Sequence, residues 1–390
     1  MLKGARAIYG GTRGRLYAAM VGVMLLTVLW FLGEMSVRNK ETGTLLRKKD
    51  SGRNYTPRVY YAVVHTRYSP GWCRMIVSSI LTNASVATLG MGGWYGHVKR
   101  WDWIYSYMVR EKMRESDVIM LFDGGDTYFT DAGVREEAVK HFLDTTPKIP
   151  EAFNETAILR GEMTPPMLFT AEKGCATPQL NIMVKPEGRS EFQNCKKLFD
   201  DAMDATRGVG VENILRVNES GRSYLNGGGV IARVWALKEA LKVFFNLRRQ
   251  SLIWLCDQTM WTIVLTWSVS RPKHVKPKLL LRRGIISLDY ETRFFHYPHS
   301  VSVESGVVLH FPTSISAWRN LMPKYLNQTS WFRALRDSSF QQKNAYRRLL
   351  ENSSVEVHTV WGARRYMKLS GVCPLSDISD PRWLIRPLRK

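Results

Sequence analysis

The stretch VIMLFDGGDTYF, Val118 to Phe129, is an apolar run that stops at a carboxylate and passes into a glycine turn holding a second carboxylate. A short, uninterrupted apolar run bounded by turn residues reads as a strand buried on both faces. Upstream, RVYYAVVHT (Arg58 to Thr66) is β-branched and aromatic and reads as another buried strand. Between them KRWDWIYSYMVREKMRE (Lys99 to Glu115) has helical spacing. Strand, helix, strand predicts the opening of a parallel α/β sheet, in which ligands bind at the carboxyl ends of the strands. Asp123 and Asp126 would stand at that edge.

The alternation continues outward. MLFTAE (Met167 to Glu172) follows as a strand, then YLNGGGVIARVWALKEALKVFF (Tyr224 to Phe245), a helix around Gln258 to Trp267, and a late strand GVVLHF (Gly306 to Phe311). After about residue 326 the composition changes to a basic, amphipathic stretch, WFRALRDSSFQQKNAYRRLL, and a tail containing proline. Residues 327–390 are expected to form a C-terminal helical extension to a body spanning 58–326.

Two carboxylates three positions apart at a strand end can both point into one site, and hard oxygen ligands of that kind suit Mg²⁺ or Mn²⁺. The same residues would equally form an Asp-Gly turn whose carboxylates cap a loop. His310, at the end of its own apolar strand, is a candidate third ligand, and an imidazole beside two carboxylates moves the preference toward Mn²⁺. A lone histidine at a strand end is also an ordinary structural residue. Gly227 to Gly229 allow either a plain tight turn or a close backbone approach to a ligand. Asp257 and Gln258 open a helix, where the aspartate either caps or meets sugar hydroxyls.

Leu16 to Gly33 runs for 18 residues without a charge, long enough to span a bilayer. Lys3, Arg6, Arg13 and Arg15 precede it, which predicts a cytosolic tail (1–15), a signal anchor (16–33) and a polar stem (34–57) leading to a lumenal body. A cleaved signal peptide is the alternative, and it too would send the body into the secretory pathway. Asn54, Asn83, Asn154, Asn218, Asn327 and Asn352 head glycosylation sequons, all beyond the apolar run. The 5 cysteines allow up to two disulfides with one thiol left over. A balance of 56 Lys+Arg against 34 Asp+Glu, net +22, would ordinarily raise nucleic acid as a partner, but a lumenal domain rarely meets it.

Taken in order, these segments resemble the glycosyltransferase domain of the procollagen-lysine hydroxylases and related procollagen glycosyltransferases. VYYAVVHT is similar to the family's first, nucleotide-binding strand and FDGGDTYF to its Asp-x-x-Asp metal motif. MLFTAE, SYLNGGGVIA, CDQTMW and VVLHFPTS follow as its later segments. The resemblance runs from about Arg58 to Trp318. It implies a GT-A-like, Rossmann-like α/β fold with a mixed sheet flanked by helices, and transfer from a UDP-sugar to a protein or glycan. It further implies Mn²⁺ on Asp123, Asp126 and His310, with His65 and Thr66 near the uridine. Lys99 would neutralise the diphosphate, and Asn226, Asp257 and Gln258 would serve the sugar or acceptor. No His-x-Asp or His-x-Glu occurs, so the hydroxylase half of those proteins has no counterpart. The membrane anchor, sequons and basic body also resemble, in layout, the trypanosome expression-site-associated gene family.

The leading expectation is a type II glycosyltransferase of the Golgi or endoplasmic reticulum membrane, with the cell surface as an alternative location. A GT-A-like domain that binds nucleotide without turnover is the alternative function. It is motivated by Gly125, where the resembled family has an aromatic residue, and by Leu255 and Cys256, where it has carboxylates.

Overall fold

The computed structural model of the chain describes residues 55–185, 190–205, 210, 214–216, 221–297, 306–311, 315–337 and 339–375. The expected tail, anchor and all of the stem up to residue 54 lie outside the described residues. No described helix is long and apolar enough to cross a membrane.

Strand β1 (Val59–Val64), helix α1 (Pro70–Leu81), strand β2 (Val86–Met91), helix α2 (Arg100–Arg110) and strand β3 (Val118–Asp123) form the expected parallel opening. Strand β4 (Thr127–Phe129), helices α3 (Ala132–Thr145) and α4 (Glu155–Leu159), strand β5 (Met167–Glu172) and helix α5 (Glu191–Asp204) come next. Strand β6 (Tyr224–Arg233) runs straight into helix α6 (Val234–Arg248), followed by helix α7 (Asp257–Ser270) and strands β7 (Ile286–Asp289), β8 (Phe295–His296) and β9 (Val308–His310). Helices α8 (Ile315–Leu326), α9 (Ser330–Asp337) and α10 (Phe340–Asn352) precede strands β10 (Ser354–Thr359) and β11 (Arg364–Lys368).

The main sheet has eight strands in the order β11-β10-β2-β1-β3-β6-β5-β7. Only β6 and β11 run against the rest, so the carboxyl ends of β1, β2, β3, β5, β7 and β10 share one edge. The unbroken apolar character of β3 follows from its position. Ile119 and Leu121 face a core with Trp101 and Ile104 of α2 and Trp261 of α7, while Val118, Met120 and Phe122 face one with Trp72 and Ile76 of α1. With helices on both faces, neither side of the strand meets water.

The C-terminal expectation needs correction. Residues 327–390 do contain α9 and α10, but they also supply β10 and β11 to the main sheet, with β10 pairing in parallel with β2. Period-two alternation in SVEVHT was the available signal: Val355 and Val357 are buried on one face, while Glu356, half-buried on the other, pairs with His358 Nε2 at 2.7 Å. A disulfide from Cys73 on α1 to Cys373 ties this segment to the first helix, a second joins Cys175 and Cys195, and Cys256 is the free thiol. The expected late strand forms within GVVLHF as β9, which pairs with β4 and β8 in a separate three-stranded sheet.

Candidate metal centre

Asp123 ends β3, and the turn Gly124–Gly125 carries the chain to Asp126 and then β4. The turn is pressed against the first strand and helix: a Cβ on Gly124 would lie 3.4 Å from the His65 side chain, and one on Gly71 would lie 1.7 Å from the Gly125 carbonyl oxygen. β4 is antiparallel to β9 with Thr127 opposite His310, and Phe311 N–H donates to the Asp126 carbonyl at 2.9 Å. That two-strand ladder brings His310 to the diacid turn. His310 Nε2 lies 3.5 Å from Asp126 Oδ2 and 3.8 Å from Asp123 Oδ2. One ligand atom from each of the three residues fits within 4.8 Å of the others.

The electrostatics of this trio ask for a cation. His310 is 1% exposed, and neither ring nitrogen has a hydrogen-bond partner. Burial by itself would lower its pKa, but the Asp126, Asp123 and Glu172 carboxylates outweigh burial and hold it above its ordinary value. Burial and the neighbouring Asp126 push Asp123 above the usual carboxylate range even with the Arg100 guanidinium beside it. A buried imidazole with both nitrogens orphaned, next to two crowded carboxylates, fits a divalent cation with mixed N/O preference.

The triple glycine is neither a turn nor the entry to a helix. It lies within β6, where the pairing with β5 shifts so that Asn226 faces Thr170 and Val230 faces Phe169, leaving Gly227 to Gly229 as a bulge. Each glycine meets a neighbour that a side chain would strike. A Cβ on Gly228 would lie 2.2 Å from His310 Cε1 and 2.8 Å from Asp123 Oδ2. Gly228→Ala is therefore expected to eliminate Mn²⁺ binding by isothermal titration while costing about 1–3 kcal/mol of stability through local overpacking.

Beside the trio lies a cation that sequence reasoning missed. Lys99, expected to serve a diphosphate, is exposed and lies over the Trp103 ring at 5.7 Å. Its neighbour Arg100, the first residue of α2, turns inward instead. It shares a helical face with Ile104 and Tyr107, and that register was readable from the spacing. Arg100 Nη1 donates to Asp123 Oδ1 at 2.6 Å, Nε donates to Asp257 Oδ2 at 2.6 Å, and Nη2 donates to the Gly227 carbonyl. Trp101 Nε1 donates to the same Asp257 oxygen at 2.7 Å. Asp257 is thus 2% exposed and engaged by two donors, a support under Arg100.

On the β5 side, Asn226 and Gln258 converge on a carboxylate the sequence reading also passed over. Asn226 Nδ2 donates to Glu172 Oε2 at 3.1 Å, and Gln258 Nε2 donates to Glu172 Oε1 at 2.8 Å. Glu172 ends MLFTAE as Asp123 ends VIMLFD, so two strands deliver carboxylates to one edge. Burial raises its pKa to about 7, and the two amide donors only partly offset that. The amides are themselves held by the bulge. Gly228 N–H donates to Asn226 Oδ1 at 2.8 Å and Gly227 N–H to Gln258 Oε1 at 2.9 Å.

On the β1 side, His65 Nε2 and the Ser69 hydroxyl lie 2.9 Å apart in a hydrogen bond, and burial lowers the His65 pKa to about 4, leaving a neutral ring against the glycine turn. Thr66 is half-buried, and its carbonyl accepts from Gly92 N–H at 2.9 Å. Of the sequence-predicted residues, the structure brings Asp123, Asp126 and His310 together and sets Asn226 and Gln258 beside them. It places His65 behind the turn, Asp257 beneath Arg100 and Lys99 outside. Compared with the models of known protein families and with curated proteins, the sequence matches none.

Proposed function

We propose that this chain is a divalent-metal-dependent glycosyltransferase of GT-A-like architecture that takes its sugar from a UDP-sugar. The observation that carries the reading is the convergence of Asp123, Asp126 and the unpartnered His310 at the edge of a mixed sheet where its parallel strands end. Mn²⁺ bound there would supply charge to hold and stabilise a departing diphosphate. Arg100, in place of Lys99, provides the adjoining protein cation. Asn226, Gln258 and Glu172 present a rigid set of hydrogen-bonding groups suited to sugar hydroxyls. The nucleoside would lie toward β1, along His65 and Thr66.

Two further features support a secretory-pathway membrane protein of the Golgi or endoplasmic reticulum. Four of the five cysteines pair, and the sequon residues Asn83, Asn154 and Asn352 are exposed. The acceptor on this reading is a protein or a glycan. The nucleotide-binding alternative, without turnover, is favoured by one observation: Asp257 is occupied by Arg100 and Trp101, which leaves Glu172 as the carboxylate on the sugar side.

The test is Mn²⁺-dependent consumption of a UDP-sugar panel by the purified full chain. Turnover of one donor supports the transferase, Mn²⁺-dependent UDP binding without consumption supports the binding protein, and binding of neither UDP nor Mn²⁺ sinks both. The site also predicts proton linkage. A metal ligand must be deprotonated, and His310 holds its proton above the ordinary histidine range. Mn²⁺ binding near neutral pH is therefore expected to release protons, and below the His310 pKa affinity should fall about tenfold per pH unit. Titration calorimetry in buffers of different ionisation enthalpy reads this directly, and a pH-independent affinity would remove His310 from the ligand set.

A further inference from the structure

The loop joining α6 to α7 leads straight into the site, ending at Asp257 and Gln258, and it carries apolar side chains outward. Leu252 is 101% exposed, Ile253 64% and Leu255 72%, whereas Trp254 between them is turned in at 6%. The loop is held from below. Gln179 Nε2 donates to the Ile253 carbonyl at 2.6 Å, and Gln179 Oε1 accepts from Leu255 N–H at 2.7 Å and Cys256 N–H at 3.2 Å. Gln179 itself has φ +72°, a left-handed conformation that a non-glycine residue keeps only when its surroundings impose it. The apolar side chains are therefore presented by a braced loop.

Phe192 on α5 extends the patch. It is 46% exposed, and its neighbour Glu191 accepts from Gln179 N–H at 3.3 Å. Three cations stand around the patch against the one carboxylate of Glu191: Lys196 lies over the Phe192 ring at 4.7 Å, and Lys173 and Arg249 are exposed. We propose that this lip docks the mouth of the site onto a bilayer surface carrying anionic lipid. Leu252, Ile253 and Leu255 are held exposed within four residues of one braced loop, and a bilayer interface takes in exposed apolar side chains of this kind when cations accompany them. The charge selects that occupant, since Lys173, Lys196 and Arg249 beside the exposed apolar side chains, in a chain of net charge +22, are attracted to an anionic headgroup layer.

Docking there would bring Glu172 and Gln258 to headgroup level, so that the group acted on is itself membrane-borne. That consequence rests on the transferase reading. The docking does not, and the experiment reads docking alone. A polarity-sensitive fluorophore is placed at Ile253→Cys of the full chain in a Cys256→Ser background, and a matched probe at Glu115→Cys, exposed just before β3 at the amino edge of the sheet, away from the site. Each protein is combined with phosphatidylcholine vesicles, with and without phosphatidylserine, containing nitroxide-labelled lipid. The 253 probe is expected to be quenched, more strongly with phosphatidylserine, and the 115 probe to remain unquenched. Leu252→Asp with Leu255→Asp should return the 253 probe to the 115 level while circular dichroism and Mn²⁺ binding stay unchanged. Absence of quenching at 253, equal quenching at both positions, or a concentration-dependent blue shift at 253 without vesicles would each overturn the proposal, the last in favour of a protein contact.

Discussion

Asp126→Ala is expected to weaken Mn²⁺ binding by at least about a hundredfold, beyond what loss of an outer-shell partner causes, and to lower any Mn²⁺-dependent turnover by about a thousandfold. Asp126 is the better probe of the pair because Asp123 also accepts from Arg100 at 2.6 Å, so its removal would disturb two things at once. The metal-free protein should be barely affected, since the substitution relieves a crowded pair of carboxylates around an orphaned imidazole. Stability provides the cleaner readout. A saturating ligand at about a hundred times its Kd stabilises a fold by about 2.7 kcal/mol. The wild-type chain should show a matching Mn²⁺-induced rise in unfolding midpoint that the variant lacks. An Asp126→Ala protein that still gains stability from Mn²⁺ would place the metal elsewhere.

Asp257→Ala is expected to be the most destabilising single change near the site, at about 3–5 kcal/mol by urea unfolding. The side chains of Arg100 and Asp257 are only 8% and 2% exposed, and the aspartate also satisfies Trp101 Nε1. Truncating it leaves a buried guanidinium short of a partner and an indole N–H with none, and unpaired buried groups cost far more than a surface ion pair contributes. A second variant separates charge from packing. Replacing both residues, Arg100→Met with Asp257→Leu, removes the whole pair and should recover much of the loss. Mn²⁺ affinity should not recover with it, because Asp123 then lacks the guanidinium that orients its carboxylate. If the single variant loses less than about 1 kcal/mol, the pair is not the buried support described above.

The strands with the plainest patterns were readable at their true ends. VIMLFD and MLFTAE form β3 and β5 at Val118–Asp123 and Met167–Glu172, because a strand covered on both faces is apolar along most of its length and ends where its carboxylate meets polar partners, Arg100 for Asp123 and Asn226 with Gln258 for Glu172. The metal trio was likewise nameable, as residue types that suit one ion. Other features lay beyond local pattern. KR at 99–100 offered two cations, and although the helical spacing sets Arg100 on the face of Ile104 and Tyr107, only the tertiary structure shows that this face carries it to Asp123 and Asp257. YLNGGG read as a turn or a ligand loop, yet its glycines bulge within a strand because His310, Thr170 and Phe295 occupy the space their side chains would need. The two C-terminal strands were overlooked because SVEVHT is short and follows a run of basic helices.

What the sequence by itself determined is therefore a matter of neighbours along the chain: alternating strands and helices, carboxylates at strand ends, and a cysteine count that leaves one thiol free. What the tertiary structure decided is which distant residues share a site. Asp126 and His310 meet through the antiparallel pairing of β4 with β9, and Asp123 meets Asp257 through Arg100. Glu172 joins them because β5 and β3 flank the same bulged strand. Propensity and periodicity report interactions within a few residues, whereas these contacts form only when the closure of long chain segments is offset by burying both faces of one sheet.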